Sequence, residues 1–265
     1  MKSQKPLKMG FWYWLLLDRK FQMSLNYNID SLNYKILETE DGTTSYWNEE
    51  FQEAYHSKVG AYKEALEKHV QACNITELAQ RSNQIDILDL CFGLGYNTLV
   101  AIDEARKVNP EVKINIIALE NDFEILKKIG QLSVPQSISD LRDSINQVNS
   151  IDDPEMLFVY PCYNLEGKNF NLSIIMGDAS CSIDLLEDDS FDAVFFDPFS
   201  PKVCPELWQA SFIKSVVDKA KPGALISTYS SSRLAKDGFL ASNCTIQEGP
   251  LCGRRTGGVL AKKSS

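Results

Sequence analysis

Two glycines and three acids stand where apolar runs end. Gly93 and Gly95 follow Ile85-Asp86-Ile87-Leu88-Asp89-Leu90, Glu120 follows Ile114–Leu119, Asp178 follows Leu172–Met176, and Asp197 follows Phe191–Phe196. Glycines in such a turn adopt dihedrals, or permit an approach to the backbone, that a Cβ forbids. A carboxylate about 20 residues beyond them is placed to accept hydrogen bonds from both hydroxyls of a ribose. Asp178 would meet an adenine amino group. Asp197, held by Pro198-Phe199-Ser200-Pro201, is placed to orient a reacting group and to receive or relay its proton. Asp89 lies inside the first run and is placed to touch a ligand ammonium through the turn.

The elements that must carry these residues are strand, turn and helix in alternation. After Gly93 and Gly95, Thr98-Leu99-Val100-Ala101-Ile102 resumes at helical spacing, the entry to a doubly wound α/β domain. Thr98 stands where a dinucleotide fingerprint has its third glycine, which opposes NAD or FAD. None of the four tips offers Lys or Arg on its first residues, as a phosphate site would want. An acidic rim for an adenosine without phosphates suits a cationic cofactor, S-adenosylmethionine. The fold expected is that of a class I S-adenosylmethionine-dependent methyltransferase, Rossmann-like, with an N-terminal extension over 1–40. The catalytic domain then spans 41–265, interrupted by a small helical insertion at 131–171. Within it the spacing predicts a helix over Phe51–Cys73, another over Ile138–Val148, a fifth strand Gly223–Tyr229, and two closing strands at Thr245–Gln247 and Gly258–Ala261.

Composition narrows the class. Apolar residues at 44% and charged residues at 24% describe an ordinary globule. The seven cysteines contain no Cys-x-x-Cys pair, and the histidines number two, so neither a zinc site nor a disulfide scaffold is expected. Reduced thiols point to the cytoplasm. Phe11–Leu17 is a run of only seven apolar residues, too short for the roughly 20 needed to span a bilayer. Residues 1–22 read as a loosely attached extension, with Met23 as a candidate start. Net charge is −9, yet Phe199–Ser265 holds 10 basic and 4 acidic residues, a local +6 on a body of 17 against 32, or −15. A basic quarter on an acidic body is what a local phosphate-binding face produces.

With those residues in view the chain resembles the MnmD family, which also occurs as the methyltransferase half of bifunctional MnmC. The resemblance rests on Asp41-Gly42-Thr43, Tyr55-His56-Ser57 with Gly60-Ala61 and Glu64, Asp89–Asn97, Phe191–Pro201, Trp208, Ser227-Thr228-Tyr229 and Gly253-Arg254-Arg255. It covers about 41–262, apart from 131–171. It implies methylation of the aminomethyl group on wobble 5-aminomethyl-2-thiouridine of tRNA, giving 5-methylaminomethyl-2-thiouridine. The cofactor set it implies adds Asn97 and Glu64 to Asp89, Gly93, Gly95, Glu120, Asp178 and Asp197. Tyr46, His56 and Phe199 are candidates for the acceptor base, and Lys202, Arg233, Arg254 and Arg255 for phosphates of the anticodon region. No second Gly-x-Gly-x-x-Gly unit is present, so no fused flavin oxidase domain is expected. Pro198 stands where some relatives have glycine, so another amine acceptor, a small molecule or a protein, stays open.

Overall fold

The computed structural model describes residues 34–253 and 255–264. The expected start at Met23 and the extension as far as residue 33 lie outside these. Residues 34–38 are already strand: β1 (Tyr34–Glu38), β2 (Thr44–Asn48) and the two-residue β3 (Glu53–Ala54) make a small antiparallel sheet. Asp41 closes its first turn, accepting from Thr43 N at 3.0 Å and from Thr43 Oγ1 at 2.6 Å. Its other oxygen takes Lys63 N at 3.0 Å, tying the turn to the start of the following helix.

That helix begins at Ala61, not at Phe51. Asn48 Oδ1 accepts from Glu50 N and Phe51 N, turning the chain, and Gly60 at φ +140° stands immediately before the helix. The spacing of Phe51 and Tyr55 imitates a helical face because both rings pack on Phe199, each with centroids 5.0 Å apart. One α-turn, Ala61–Glu64, then widens into a π-helix, Ala65–Gln71. Its i→i+5 repeat turns both the i+4 and i+5 side chains towards the face of residue i.

The main sheet has nine strands in the order β11-β12-β10-β9-β4-β5-β8-β7-β6. They are β4 (Gln84–Leu90), β5 (Lys113–Glu120), β6 (Glu155–Leu157), β7 (Tyr160–Gly167), β8 (Phe170–Met176), β9 (Phe191–Phe196), β10 (Ala220–Thr228), β11 (Cys244–Glu248) and β12 (Val259–Lys263). From β10 to β8 neighbouring strands run parallel; β12, β11, β7 and β6 add on antiparallel. Side chains of β4 alternate between two cores, Ile85 and Ile87 on one face, Leu88 and Leu90 on the other. Such burial on both sides is why these strands read as nearly continuous apolar runs. The chain leaves β4 towards β5 and β8, then returns to β9 on the opposite side. The order reverses there, and a crevice opens outside the carboxyl ends of β4 and β9.

The 131–171 segment differs from a helical insertion. Ser139–Ile145 is helical, flanked by 3₁₀ turns at Gln136–Ile138 and Asn146–Ser150, but β6 and β7 follow as a hairpin on the sheet edge. The aromatic stretch around Tyr160 and Tyr163 belongs to that hairpin. The two closing strands fall at β11 and β12, close to where the spacing puts them.

Candidate functional site

A cleft of about 500 Å³ lies over the carboxyl ends of the parallel strands. On one side the chain leaves β4 through a turn with Cys91, Gly93 and Gly95 all at positive φ. Gly93 N donates to Glu120 Oε2 at 2.7 Å, while Asn121 N and Asp122 N donate to Glu120 Oε1 at 2.8 and 2.9 Å. A carboxylate offers about four lone-pair sites. Three are taken, so one remains for a ligand hydroxyl rather than the two first expected. Burial, reinforced by the negative charge of Asp122, pushes the Glu120 carboxyl up to about 7 against the pull of those three N–H groups.

A Cβ on Gly93 would lie 3.0 Å from the Tyr55 ring, and Gly93 lines the cleft. Gly95 does not line it. Its missing Cβ makes room for Phe92, whose Cζ would be 2.6 Å away, and its φ of +77° starts the helix Tyr96–Val108. Asp178 is on the rim, exposed, accepting from Ser180 N at 2.8 Å. Asp89 is fully buried and is not among the lining residues. Thr98 Oγ1 donates to its Oδ2 at 2.7 Å, its Oδ1 has no partner, and burial pushes its carboxyl up to about 7. The odd-numbered parity of β4 explains this: Asp89 shares a face with Ile87 and points at the helix, not past the strand tip.

The other side of the cleft centres on Asp197. Asn97 Nδ2 donates to its Oδ2 at 3.1 Å, and His69 Nε2 is 3.4 Å from the same oxygen, which leaves Oδ1 for a ligand. Burial would raise the Asp197 carboxyl, but the imidazole of His69 and the Asn97 amide hold it well below the usual carboxylate range. The second His69 nitrogen, Nδ1, is 2.9 Å from Ser227 Oγ. The π-helix brings Glu64, Lys68 and His69 to one face. Glu64 pairs with Lys68 and accepts from Ser57 N at 2.8 Å; despite burial, these partners and His56 hold its carboxyl low. His56 bonds through Nδ1 to Ser45 Oγ at 3.0 Å, and burial pulls its pKa down.

Phe51, Tyr55 and Phe199 form an aromatic wall above Asp197. Trp208 Nε1 donates to Phe199 O at 2.9 Å, and Ser200 donates through N, at 2.9 Å, and Oγ to the two oxygens of Glu53. The small sheet is thereby clasped to the loop that carries Asp197.

Gly93, Asn97, Glu120, Asp178, Asp197, Glu64, His56 and Phe199 therefore share one cleft. Asp89, Gly95, Tyr46, Lys202, Arg233 and Arg255 do not line it. Tyr46 is a core residue, its ring 2% exposed and its hydroxyl 3.3 Å from Gln131 Oε1, because its β2 position faces inward. Lys202, Arg233 and Arg255 are exposed, Arg233 pairing with Asp237 at 3.2 Å, and Arg254 lies outside the described residues. His69, Lys68, Glu53 and Asp122 escaped the sequence reading. Asp122 alone had a local signal, an Asp at a helix start, where it caps Glu124 N and Ile125 N. Among the described residues no group of three or more His, Cys, Asp or Glu is placed to hold a metal, and no helix is long and apolar enough to cross a membrane.

Comparison with known proteins agrees with this geometry. The model of a family described as an S-adenosyl-L-methionine-dependent methyltransferase matches residues 138–264. The uncharacterised protein MJ0670 of Methanocaldococcus jannaschii is 30% identical over 232 residues, covering 86% of this chain and 59% of that protein. The tRNA 5-methylaminomethyl-2-thiouridine biosynthesis bifunctional protein MnmC of Leptospira interrogans is 24% identical over 217 residues, 78% of this chain and 32% of its own length. The chain thus spans less than two thirds of either relative. The crystal structure of MNMC2 from Aquifex aeolicus is similar with a TM-score of 0.72 and 28% identity, covering 97% of this chain and 79% of that one. The fold is the mixed α/β fold of class I S-adenosylmethionine-dependent methyltransferases, and the cofactor that these matches support is S-adenosylmethionine. The cradle fits that ligand, with Gly93 in its wall and a carboxylate retaining an acceptor site, but no cation at the strand tips to hold a phosphate.

Proposed function

We propose that this chain, an MnmD-like S-adenosylmethionine-dependent methyltransferase, methylates the aminomethyl nitrogen of wobble 5-aminomethyl-2-thiouridine in tRNA. The observation that carries the reading is the placement of the Asp197 carboxylate, anionic and with Oδ1 available, between the Glu120 cradle and the aromatic wall. S-adenosylmethionine supplies an electrophilic methyl group on a sulfonium. Gly93 and Glu120 hold the ribose end of its adenosine, and Asp178 meets the adenine amino group. Asn97 keeps the Asp197 carboxylate turned into the cleft.

An acceptor amine must present a lone pair about 3–3.5 Å from the methyl carbon, in line with the bond that breaks. Asp197 Oδ1 accepts one of its N–H groups and fixes that direction. A carboxylate so acidic binds a cationic amine well but is a weak proton acceptor. Phe199, with Tyr55 and Phe51 behind it, offers the flat surface on which an unstacked uracil packs, as aromatic side chains do for extruded bases. His56 and the Glu64–Lys68 pair line the same end. Lys202, Arg233 and Arg255, on the basic quarter, take backbone phosphates, which makes RNA binding steeply salt-dependent. The seven cysteines, none of them in a disulfide, suit a reducing cytoplasm.

Radiolabelled methyl donor and bulk tRNA from cells lacking this gene test the reading. The expected result is label in ribonuclease-sensitive material that digests to one methylated nucleoside. Label surviving ribonuclease would place the acceptor in a protein or small molecule instead.

A further inference from the structure

We propose that His69 receives the proton given up by the acceptor ammonium, acting through the Asp197 carboxylate, before the methyl group moves. This rests on the amine-methylation reading above. A protonated amine has no lone pair, so one proton must leave it for each methyl group transferred. Asn97 and His69 both reach Asp197 Oδ2, at 3.1 and 3.4 Å, and of these two only His69 can take up a proton.

The ring is built to be held. Its Nε2 faces Asp197, its Nδ1 bonds to Ser227 Oγ at 2.9 Å, and Phe195 packs beside it with centroids 5.5 Å apart. It is 2% exposed yet belongs to the cleft wall, so it is shielded from bulk water and open to the ligand side. Other groups nearby are committed elsewhere. Glu64 is paired with Lys68, Asp89 is bonded to Thr98 away from the cleft, and His56 is turned to Ser45.

In the step itself one ammonium N–H bond breaks and its electron pair stays on nitrogen. The proton moves to Asp197 Oδ1, and the carboxyl group turns to present it to His69 Nε2. The neutral ring, whose own hydrogen sits on Nδ1 and is donated to Ser227 Oγ, becomes an imidazolium paired with the Asp197 carboxylate. The pair acts as one base, with the charge stored on the ring. After methyl transfer the product amine is again a cation, and His69 sheds its proton to solvent through the opened cleft. The titratable groups that face the ring from other elements are Asp197 and Asp89, at or near neighbouring strand ends, and His56. Glu64 and Lys68 on its own helix offset each other.

The chain has only His56 and His69, so ring carbon–proton NMR resolves both, with His69→Gln assigning the peaks. Asp197→Asn should lower the His69 titration midpoint by about one unit or more, as loss of an adjacent opposite charge does. In single-turnover methylation, the wild-type rate should climb along the His69 titration. His69→Gln should lose that limb and about a hundredfold in rate, with S-adenosylmethionine affinity within about twofold of wild type. A His69 midpoint indifferent to Asp197→Asn, or a His69→Gln enzyme with the wild-type pH profile, overturns the proposal. If the wild type labels no RNA, the RNA reading fails, while the NMR measurement still decides whether His69 and Asp197 share a proton.

Discussion

Cofactor affinity should fall steeply on mild acidification, and Glu120 sets the size of the fall. Its carboxyl is pushed up to about 7 by burial, whereas in the unfolded chain it keeps its ordinary value of 4.5. The sign follows from which form is useful. A raised carboxyl means that the ligand-free fold gains stability from this group as pH drops through 7, where protonation removes a buried charge. Binding runs the other way, because the ionised carboxylate is the better acceptor for a ribose hydroxyl. With a midpoint near 7, the ionised fraction falls to about one in thirty at pH ~5.5, so with the protonated carboxyl binding about ten- to a hundredfold less tightly the dissociation constant should rise about seven- to twentyfold from its value at pH ~8. Glu120→Gln removes the ionisation and weakens one charge-assisted hydrogen bond, worth about 1.5–3 kcal/mol, or roughly ten- to a hundredfold in affinity. Titration calorimetry with S-adenosylmethionine across that range reads both effects. A flat wild-type profile, or a Gln variant that keeps the wild-type slope, would refute the assignment; the latter result would move the titration to Asp89.

Asp197→Asn should cut single-turnover methylation by about a hundredfold or more, with calorimetric affinity for the cofactor within about threefold; retained turnover removes Asp197 from the reaction. Lys68→Met strands the buried Glu64 carboxylate and should cost about 3–5 kcal/mol in urea unfolding, most of it recovered in the Glu64→Gln, Lys68→Met double variant. An equally unstable double variant would mean that the cost is packing and not charge. Glu53→Gln loosens the clasp on Ser200 and should lower kcat/KM for the acceptor RNA about tenfold without changing cofactor affinity; parallel losses in both would place Glu53 in general folding.

The strand tips were legible because a strand buried on both faces writes its ends plainly, as an apolar run stopped by a glycine or an acid. Gly93, Glu120, Asp178 and Asp197 all come together on that signal. Asp89 and Tyr46 went astray for one reason: period-two alternation decides which way a strand residue points, and both point inward. The Phe51–Cys73 helix was overextended because two aromatics that stack on a distant ring have the spacing of a helical stripe. His69 left no trace at all. Its partners are 128 and 158 positions away in the chain, Asp197 and Ser227, and nothing local marks a π-turn in advance. The hairpin in 131–171 went unread because its strands lie on a sheet edge, where burial is partial and the apolar alternation weak.

The cleft is walled by two sets of segments that hardly overlap. One wall is the ends of β4, β5 and β8; the other is the Glu53–Ser57 stretch, the π-helix and the loop after β9, and the Asn97–Asp197 hydrogen bond spans the seam. Evolution can therefore rewrite what is modified without disturbing what is spent. A lineage that swapped Phe51 and Phe199 would change clientele while keeping its methyl supply, whereas a change at the seam, or at Tyr55, whose ring meets Gly93, would disturb both at once.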